Sequence, residues 1–316
     1  MKSVNLTQAV DILKSGGLLA IPTETVYGLA GNALDESVVL QIFRVKNRPA
    51  FDPMILHIPE ISHLEKYAFD IPEVVNKLAT AFWPGPLTIL LRKKDIVPDI
   101  VSSGSDMAGF RVPNHALTLQ LLQQLDFPLA APSANPFGYI SPTTAVHVDA
   151  QLGDKIEGIL DGGPCLVGIE STVIQIHDHA IVILRKGGIT ETQLEDVTAM
   201  PVYFMQEDAH PTAPGMLKSH YAPSKPFKLS MPHNPLDSNT YAWIRFSEFH
   251  PEYPRNSQYI LSEESNLHEA AQRLFALMRK LDEDPSIEII FADLVPETGI
   301  GRAINDKLRK AAARHS

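Results

Sequence analysis

The sequence predicts an α/β protein made of two unequal α/β domains, and three observations carry that prediction. Helix-period and strand-like segments alternate over about the first 200 residues. Composition then shifts at 206–226, QEDAHPTAPGMLKSHYAPSKP, which holds four prolines and few apolar side chains. A second, shorter set of strand and helix patterns follows it. The expected organisation is a larger α/β domain over 1–205, a stiff proline-containing linker over 206–226, and a smaller α/β domain over 227–316.

The elements follow in chain order. Leu6, Val10 and Leu13 share one face of a helix over 6–14, which Gly16-Gly17 ends. L-L-A-I at 18–21 reads as a strand that runs into P-T-E-T-V-Y-G-L, a small-and-polar stretch suited to a site loop. Val38, Ile42 and Val45 predict a helix ending near Lys46. M-I-L-H-I at 54–58, P-L-T-I-L-L at 86–91 and G-F-R-V at 109–112 are strands, with a helix over 73–83 between the first two. A helix over 115–125 precedes P-L-A-A-P-S-A-N, a strand delivering a loop. V-G-I-E-S-T-V-I at 167–174 and A-I-V-I-L-R at 180–185 read as further strands. Beyond the linker, strands at 241–246 and 258–261, a helix marked by Leu267, Ala271, Leu274, Met278 and Leu281, a strand at 287–292 and a basic helix at 302–313 complete the second domain.

Bulk properties exclude several function classes. The chain has 27 basic and 37 acidic residues, a net charge of −10, so its surface is not built to coat nucleic acid. There is no apolar run near 18 residues, which leaves no membrane span, and the amphipathic start lacks the apolar core of a signal peptide. The one cysteine, Cys165, excludes an internal disulfide and a cysteine-rich metal site. His177 and His179 lack metal-ligand spacing. A cytoplasmic enzyme is the expectation.

The chemistry gathers in a split constellation. K-N-R-P at Lys46–Pro49 places two cations past a helix end; P-S-A-N-P at Pro132–Pro136 places a hydroxyl and an amide past a strand end. Cations and short hydrogen-bonding side chains on loops are what a polyphosphate requires. Each has a plainer reading. Lys46 and Arg48 also suit a helix C-terminus, and Ser133 and Asn135 also suit a stiff turn. Thr23, Glu24 and Thr25 sit at a strand end, where open α/β sheets gather ligands, although a threonine there also suits a helix cap. His57 lies inside an apolar strand. Arg111, in G-F-R-V-P, requires an anionic partner: a ligand carboxylate, Glu24 or Asp106. No P-loop, G-x-G-x-x-G or Ser-His-Asp order is present.

Taken together, P-T-E-T-V-Y-G-L at 22–29, K-N-R-P at 46–49, P-M-I-L-H-I at 53–58, P-G-P-L-T at 84–88, R-V-P at 111–113, A-P-S-A-N at 131–135, S-P-T at 141–143 and E-S-T-V at 170–173 resemble the threonylcarbamoyl-AMP synthases. A-P-G-M-L-K-S-H-Y-A-P at 213–223 and T-G-I-G-R-A-I-N-D at 298–306 resemble the longer, two-domain branch. The resemblance implies an open, twisted mixed-sheet domain of YrdC-like type and a smaller Rossmann-like domain. It implies the joining of L-threonine, bicarbonate and ATP, with Mg2+ accompanying the nucleotide, for threonylcarbamoyladenosine modification of tRNA by a separate transfer machinery. It leaves room for a weak tRNA contact and implies no membrane contact.

By the same resemblance, Thr25, His57, Arg111, Ser171 and the backbone of Ala131 fall at threonine positions. Arg48, Asp52, Met107, Ser133, Asn135, Ser141, Arg185 and Tyr221 fall at ATP positions, and Lys46 joins Arg48 in stabilising phosphate charge. Asp52 stands where the family often has Asn, which turns expectation toward ribose or a metal. Met107 replaces a smaller residue and implies a backbone contact. Two rivals remain. An RNA-binding module without ATP turnover is opposed by the net charge. A carbamoyl-phosphate-using relative of this domain usually carries zinc-finger cysteines, which this chain lacks.

Overall fold

In a computed structural model, residues 2–49, 51–205, 219–230 and 240–314 are described. Most of the expected linker, 206–218, with the A-P-G-M-L-K part of its motif, lies outside the described residues.

Among the described residues, ten strands of the first domain form one sheet: β1 (Leu19–Ile21), β2 (Gly28–Asn32), β3 (Ile55–His57), β4 (Leu87–Arg92), β5 (Met107–Arg111), β6 (Leu129–Ala130), β7 (Gly158–Ile159), β8 (Thr172–His177), β9 (Ala180–Arg185) and β10 (Val202–Phe204). Their order is β10-β9-β8-β4-β5-β3-β6-β2-β1-β7. The sheet is mixed, with β3 parallel to β5 and β4 parallel to β8, while β3 is antiparallel to β6. Strands β1, β3 and most of β4 are buried along their length. They therefore read as apolar runs rather than alternating patterns.

Helices cover the sheet. Helix Leu6–Lys14 starts with a capping box, Asn5 receiving Gln8 N while the Gln8 side chain receives Asn5 N. Helix Glu36–Lys46 ends at Asn47, whose φ of 50° is left-handed. That stop separates Lys46 from Arg48 and sends their side chains in different directions. The strand expected at 167–174 begins only at Thr172. Helices Ala145–Leu152 and Glu191–Thr198 were not expected, although Thr144 and Thr190 cap them and Thr190 with Gln193 forms a capping box.

Among the described residues, the second domain has four parallel strands, β11 (Phe227–Leu229), β12 (Tyr241–Arg245), β13 (Gln258–Ile260) and β14 (Ile289–Ala292), in the order β11-β14-β12-β13. Helices Leu267–Glu283 and Gly301–Ala312 pack with them. Strand β11 is an addition to the strand–strand–helix–strand–helix order read from sequence. The apolar core of this domain is shared: Val26, Ile140, Ile169 and Tyr221 join Leu274, Phe275, Met278 and Ile304 in one buried cluster. No described helix is long and apolar enough to cross a membrane.

Candidate active site

The central strands deliver the site. Parallel β3 and β5 put His57 and Arg111 side by side in register, and Ala131 follows β6, its N–H donating to Ile55 O at 3.2 Å. One cleft is lined by Thr25, Arg48, His57, Arg111, Ala131, Ser133, Ser171, Arg185 and Tyr221, together with Thr23, Glu170 and His220. Nine residues singled out by sequence thus meet, from strands and loops spread between residues 25 and 221.

One wall is set by the loop after β1. Thr23 is a turn-former: its hydroxyl donates to Val26 O at 2.6 Å and accepts from the N–H groups of Thr25 and Val26. No helix follows, so neither threonine caps one. The Glu24 carboxylate meets Arg111 Nη2 at 2.6 Å and accepts Asn114 N at 3.0 Å. Glu24 is therefore the anionic partner that Arg111 required, and both are buried. Burial, reinforced by Arg111, lowers His57 to about 3, so its imidazole is neutral across physiological pH. Ser171 Oγ lies 2.8 Å from Thr88 Oγ1 and receives Arg185 Nη2 at 2.8 Å, while Arg185 Nε donates to Ser171 O.

A second set of contacts joins the two halves of the split constellation. Lys46 Nζ donates to Ser133 O and, at 2.6 Å, to Asn135 O. The cation on one motif therefore clamps the backbone of the other. Burial and the nearby Arg48 charge push the Lys46 ammonium well below its ordinary pKa. Arg48 turns the other way, to Asp52 O, Pro53 O and the Asp52 carboxylate at 2.9 Å. Burial raises the Asp52 carboxyl, against the pull of Arg48.

Lys46, Asp52, Met107, Asn135 and Ser141 stand outside the cleft lining. Asn135 donates from Nδ2 to Pro136 O and Tyr139 O, which folds its own loop. Asp52 pairs with Arg48 at 2.9 Å. Met107 lies at the far end of β5 from Arg111 and packs on the cluster of Ile55, Leu90, Val173 and Leu184. Ser141 Oγ donates to Glu170 Oε1 at 2.6 Å, just behind the wall.

Sequence reasoning did not single out Glu170 or His220, although both stand inside quoted motifs, E-S-T-V and S-H-Y-A-P. Glu170 Oε2 is buried without a hydrogen-bond partner among the described residues. His220 and Tyr221 enter the cleft from the end of the linker. Tyr221 is fully buried, stacks on Phe275 at 5.4 Å, and holds a left-handed φ of 62°. For an aromatic residue that conformation is strained and marks a site. Among the described residues its hydroxyl has no hydrogen-bond partner. Four cations, Lys46, Arg48, Arg111 and Arg185, thus surround a small cleft in an otherwise acidic chain, which suits an anionic ligand.

Comparison with known proteins accords with this geometry. The family described as Telomere recombination matches residues 11–187, and the family described as Threonylcarbamoyl-AMP synthase, C-terminal domain, matches residues 189–313. A threonylcarbamoyl-AMP synthase of Pyrococcus abyssi is 38% identical, over 96% of this chain and 93% of its own. One of Bacillus subtilis is 36% identical, over 97% and 92%. The crystal structure of P. abyssi Sua5 complexed with L-threonine superposes with a TM-score of 0.89 at 36% identity, covering 98% of this chain and 94% of that one.

Proposed function

The chain belongs to the threonylcarbamoyl-AMP synthase family, enzymes of nucleotidyltransferase type, and we propose that it joins L-threonine, bicarbonate and ATP into L-threonylcarbamoyladenylate, with release of pyrophosphate and water. The observation that carries this reading is one cleft lined by two chemically different sets of residues. Thr25, neutral His57, Arg111 and Ser171 offer hydroxyls, an imidazole and a guanidinium, which suit a zwitterionic hydroxy amino acid. Arg48, Ser133 and Arg185, with Lys46 behind, suit a polyphosphate. L-Threonine is also the ligand of the P. abyssi relative.

In the proposed sequence, the threonine amine attacks the carbon of bicarbonate, whose hydroxyl leaves with an amine proton as water, or of carbon dioxide with loss of an amine proton, and forms an N-carboxylate. An oxygen of that carboxylate then attacks the α-phosphorus and expels pyrophosphate. Arg111, held by Glu24, orients the threonine carboxylate, while Thr25 and Ser171 fix the amine beside its acceptor. Arg48 and Lys46 stabilise charge on the phosphates. Positioning and electrostatics supply the rate. Mg2+ belongs to the proposal as an ion that ATP brings. Among the described residues no group of three or more His, Cys, Asp or Glu could cage it. Glu170, with one buried unpartnered oxygen in the cleft, is the carboxylate that would touch it. When bound, the ion neutralises phosphate charge.

Carbamates are labile in water, so the segment carrying His220 and Tyr221 serves as the lid. The product supplies the threonylcarbamoyl group for adenosine beside the anticodon of tRNA, through a separate transfer machinery. The test is pyrophosphate release from ATP with L-threonine and bicarbonate, each omitted in turn. Release is expected only with all three present; equal release without threonine refutes the assignment.

A further inference from the structure

The second domain sends one fully buried arginine into the first. Arg279, on helix Leu267–Glu283, is 0% exposed. Its Nε donates to Ser141 O at 3.3 Å, and its Nη2 donates to Ile140 O and, at 3.0 Å, to Gln151 Oε1. Its guanidinium also lies 5.0 Å from the Tyr139 ring centroid. Every one of these contacts is with the catalytic domain, and three of the four converge on residues 139–141. Burying a guanidinium is expensive, so a rigid fork spent on two successive carbonyls fixes that turn strongly.

What the turn carries is the Ser141 hydroxyl, which donates to Glu170 Oε1 on the cleft wall. The same helix holds the lid. Asp282, one turn on, accepts Tyr139 Oη at 2.5 Å, Ser224 N at 3.1 Å and Lys225 N at 2.9 Å. Phe275, one turn back, stacks on Tyr221. One helix face therefore grips the 139–141 turn, the lid base and the lid aromatic together.

We propose that Arg279 is a positioning residue for the nucleotide half of the cleft, holding the 139–141 turn so that Ser141 and Glu170 stay in place. This rests on the reading above that Ser141 belongs to the ATP half. The accessory domain is then part of the nucleotide site rather than a cover over it.

The experiment is steady-state pyrophosphate release by the full-length wild type, Arg279→Met, Arg279→Lys, Ser141→Ala and Ser141→Ala/Arg279→Met, with L-threonine affinity measured calorimetrically without nucleotide. Arg279→Met is expected to raise KM for ATP about tenfold, with Arg279→Lys in between. Threonine affinity is expected to stay within about twofold of wild type. Adding Arg279→Met to Ser141→Ala is expected to change KM for ATP by less than about threefold, because the arginine acts through that turn. A merely structural arginine would weaken threonine and ATP equally and combine additively with Ser141→Ala, and either result overturns the proposal. If Arg279→Met does not fold, an unchanged KM for ATP in folded Arg279→Lys overturns it. A wild type that releases no pyrophosphate with threonine refutes the functional reading itself, a different failure from an active wild type matched by its variants.

Discussion

Replacing Tyr221 by phenylalanine separates what the cleft does for stability from what it does for chemistry. The side chain is fully buried, stacked on Phe275 at 5.4 Å and covered by Lys307 Nζ at 5.3 Å from its ring centroid. Phenylalanine keeps all of those ring contacts. It removes a hydroxyl that has no hydrogen-bond partner among the described residues, and an unsatisfied buried polar group costs about 1–3 kcal/mol. Allowing for the small void left behind, Tyr221→Phe is expected to stabilise the ligand-free protein by about 1 kcal/mol, or roughly 2 °C in melting temperature. Tyr221→Ala, which empties the same space, is expected to cost about 3–5 kcal/mol. If the hydroxyl meets the nucleotide, Tyr221→Phe also loses that bond, about 1.4 kcal/mol or tenfold in KM for ATP. Thermal unfolding without ligands and pyrophosphate release read the two effects on the same samples. A phenylalanine variant that melts below wild type refutes the burial argument; one with an unchanged KM refutes the nucleotide contact.

Two further outcomes follow from other parts of the fold. Burial and the nearby Arg279 charge lower His147 to about 4 from an ordinary 6.5. The unfolded chain therefore binds a proton that the folded chain refuses between those values. Stability from this residue is complete above pH 6.5 and falls toward pH 4, by less than the roughly 1.4 kcal/mol per pH unit of a fully buried group because the ring is partly exposed. Urea midpoints between pH 7 and pH 4.5 are expected to fall less steeply by that amount in His147→Gln, and an unchanged slope contradicts the assignment. A Cβ at Gly187 would lie 2.3 Å from the backbone of Glu170, Ser171 and Thr172. Gly187→Ala is expected to destabilise by about 1–3 kcal/mol and to lower threonine affinity by displacing Ser171; calorimetry showing wild-type threonine binding argues against that coupling.

Elements whose causes are local were legible in the sequence. Helix Leu6–Lys14 carries its stripe and its capping residues within ten positions, and the buried strands announce themselves as apolar runs. The stretch 167–171 failed for a long-range reason. Gly168, at a φ of +77°, lies against the second domain, where a Cβ would come 2.4 Å from Gln272 Cα. A helix a hundred residues away keeps that segment out of the sheet. In the site, residue types and order were legible, but partnership was not. Arg111 required an anion, and which protein carboxylate stands beside it was open until the fold put Glu24 at 2.6 Å. K-N-R-P and P-S-A-N-P were paired by their chemistry, as if both gripped a ligand. The structure pairs them through Lys46 and two backbone carbonyls, a contact that no side-chain motif records.

That clamp alters how the cations are to be understood. Lys46 and Arg48 are already satisfied by carbonyl and carboxylate oxygens of the protein, and Arg185 by Ser171. Their side chains are thus held in place and desolvated before any ligand arrives, a preorganisation that would serve the charge of an anionic ligand. Such an arrangement is costly to keep, because burial disfavours the charged form of Lys46 and Arg48 alike. What resists it is the surrounding scaffold, and part of that scaffold is the second domain. Lys307, fully buried on helix Gly301–Ala312, reaches back to Lys186 O at 2.6 Å, beside Arg185. The shared apolar cluster draws Val26, Ile140, Ile169 and Tyr221 into the same core as that helix. Damage to the second domain's core should therefore appear first as a loss of nucleotide handling and only later as unfolding, because the cleft rim is the part of the catalytic domain that this core holds.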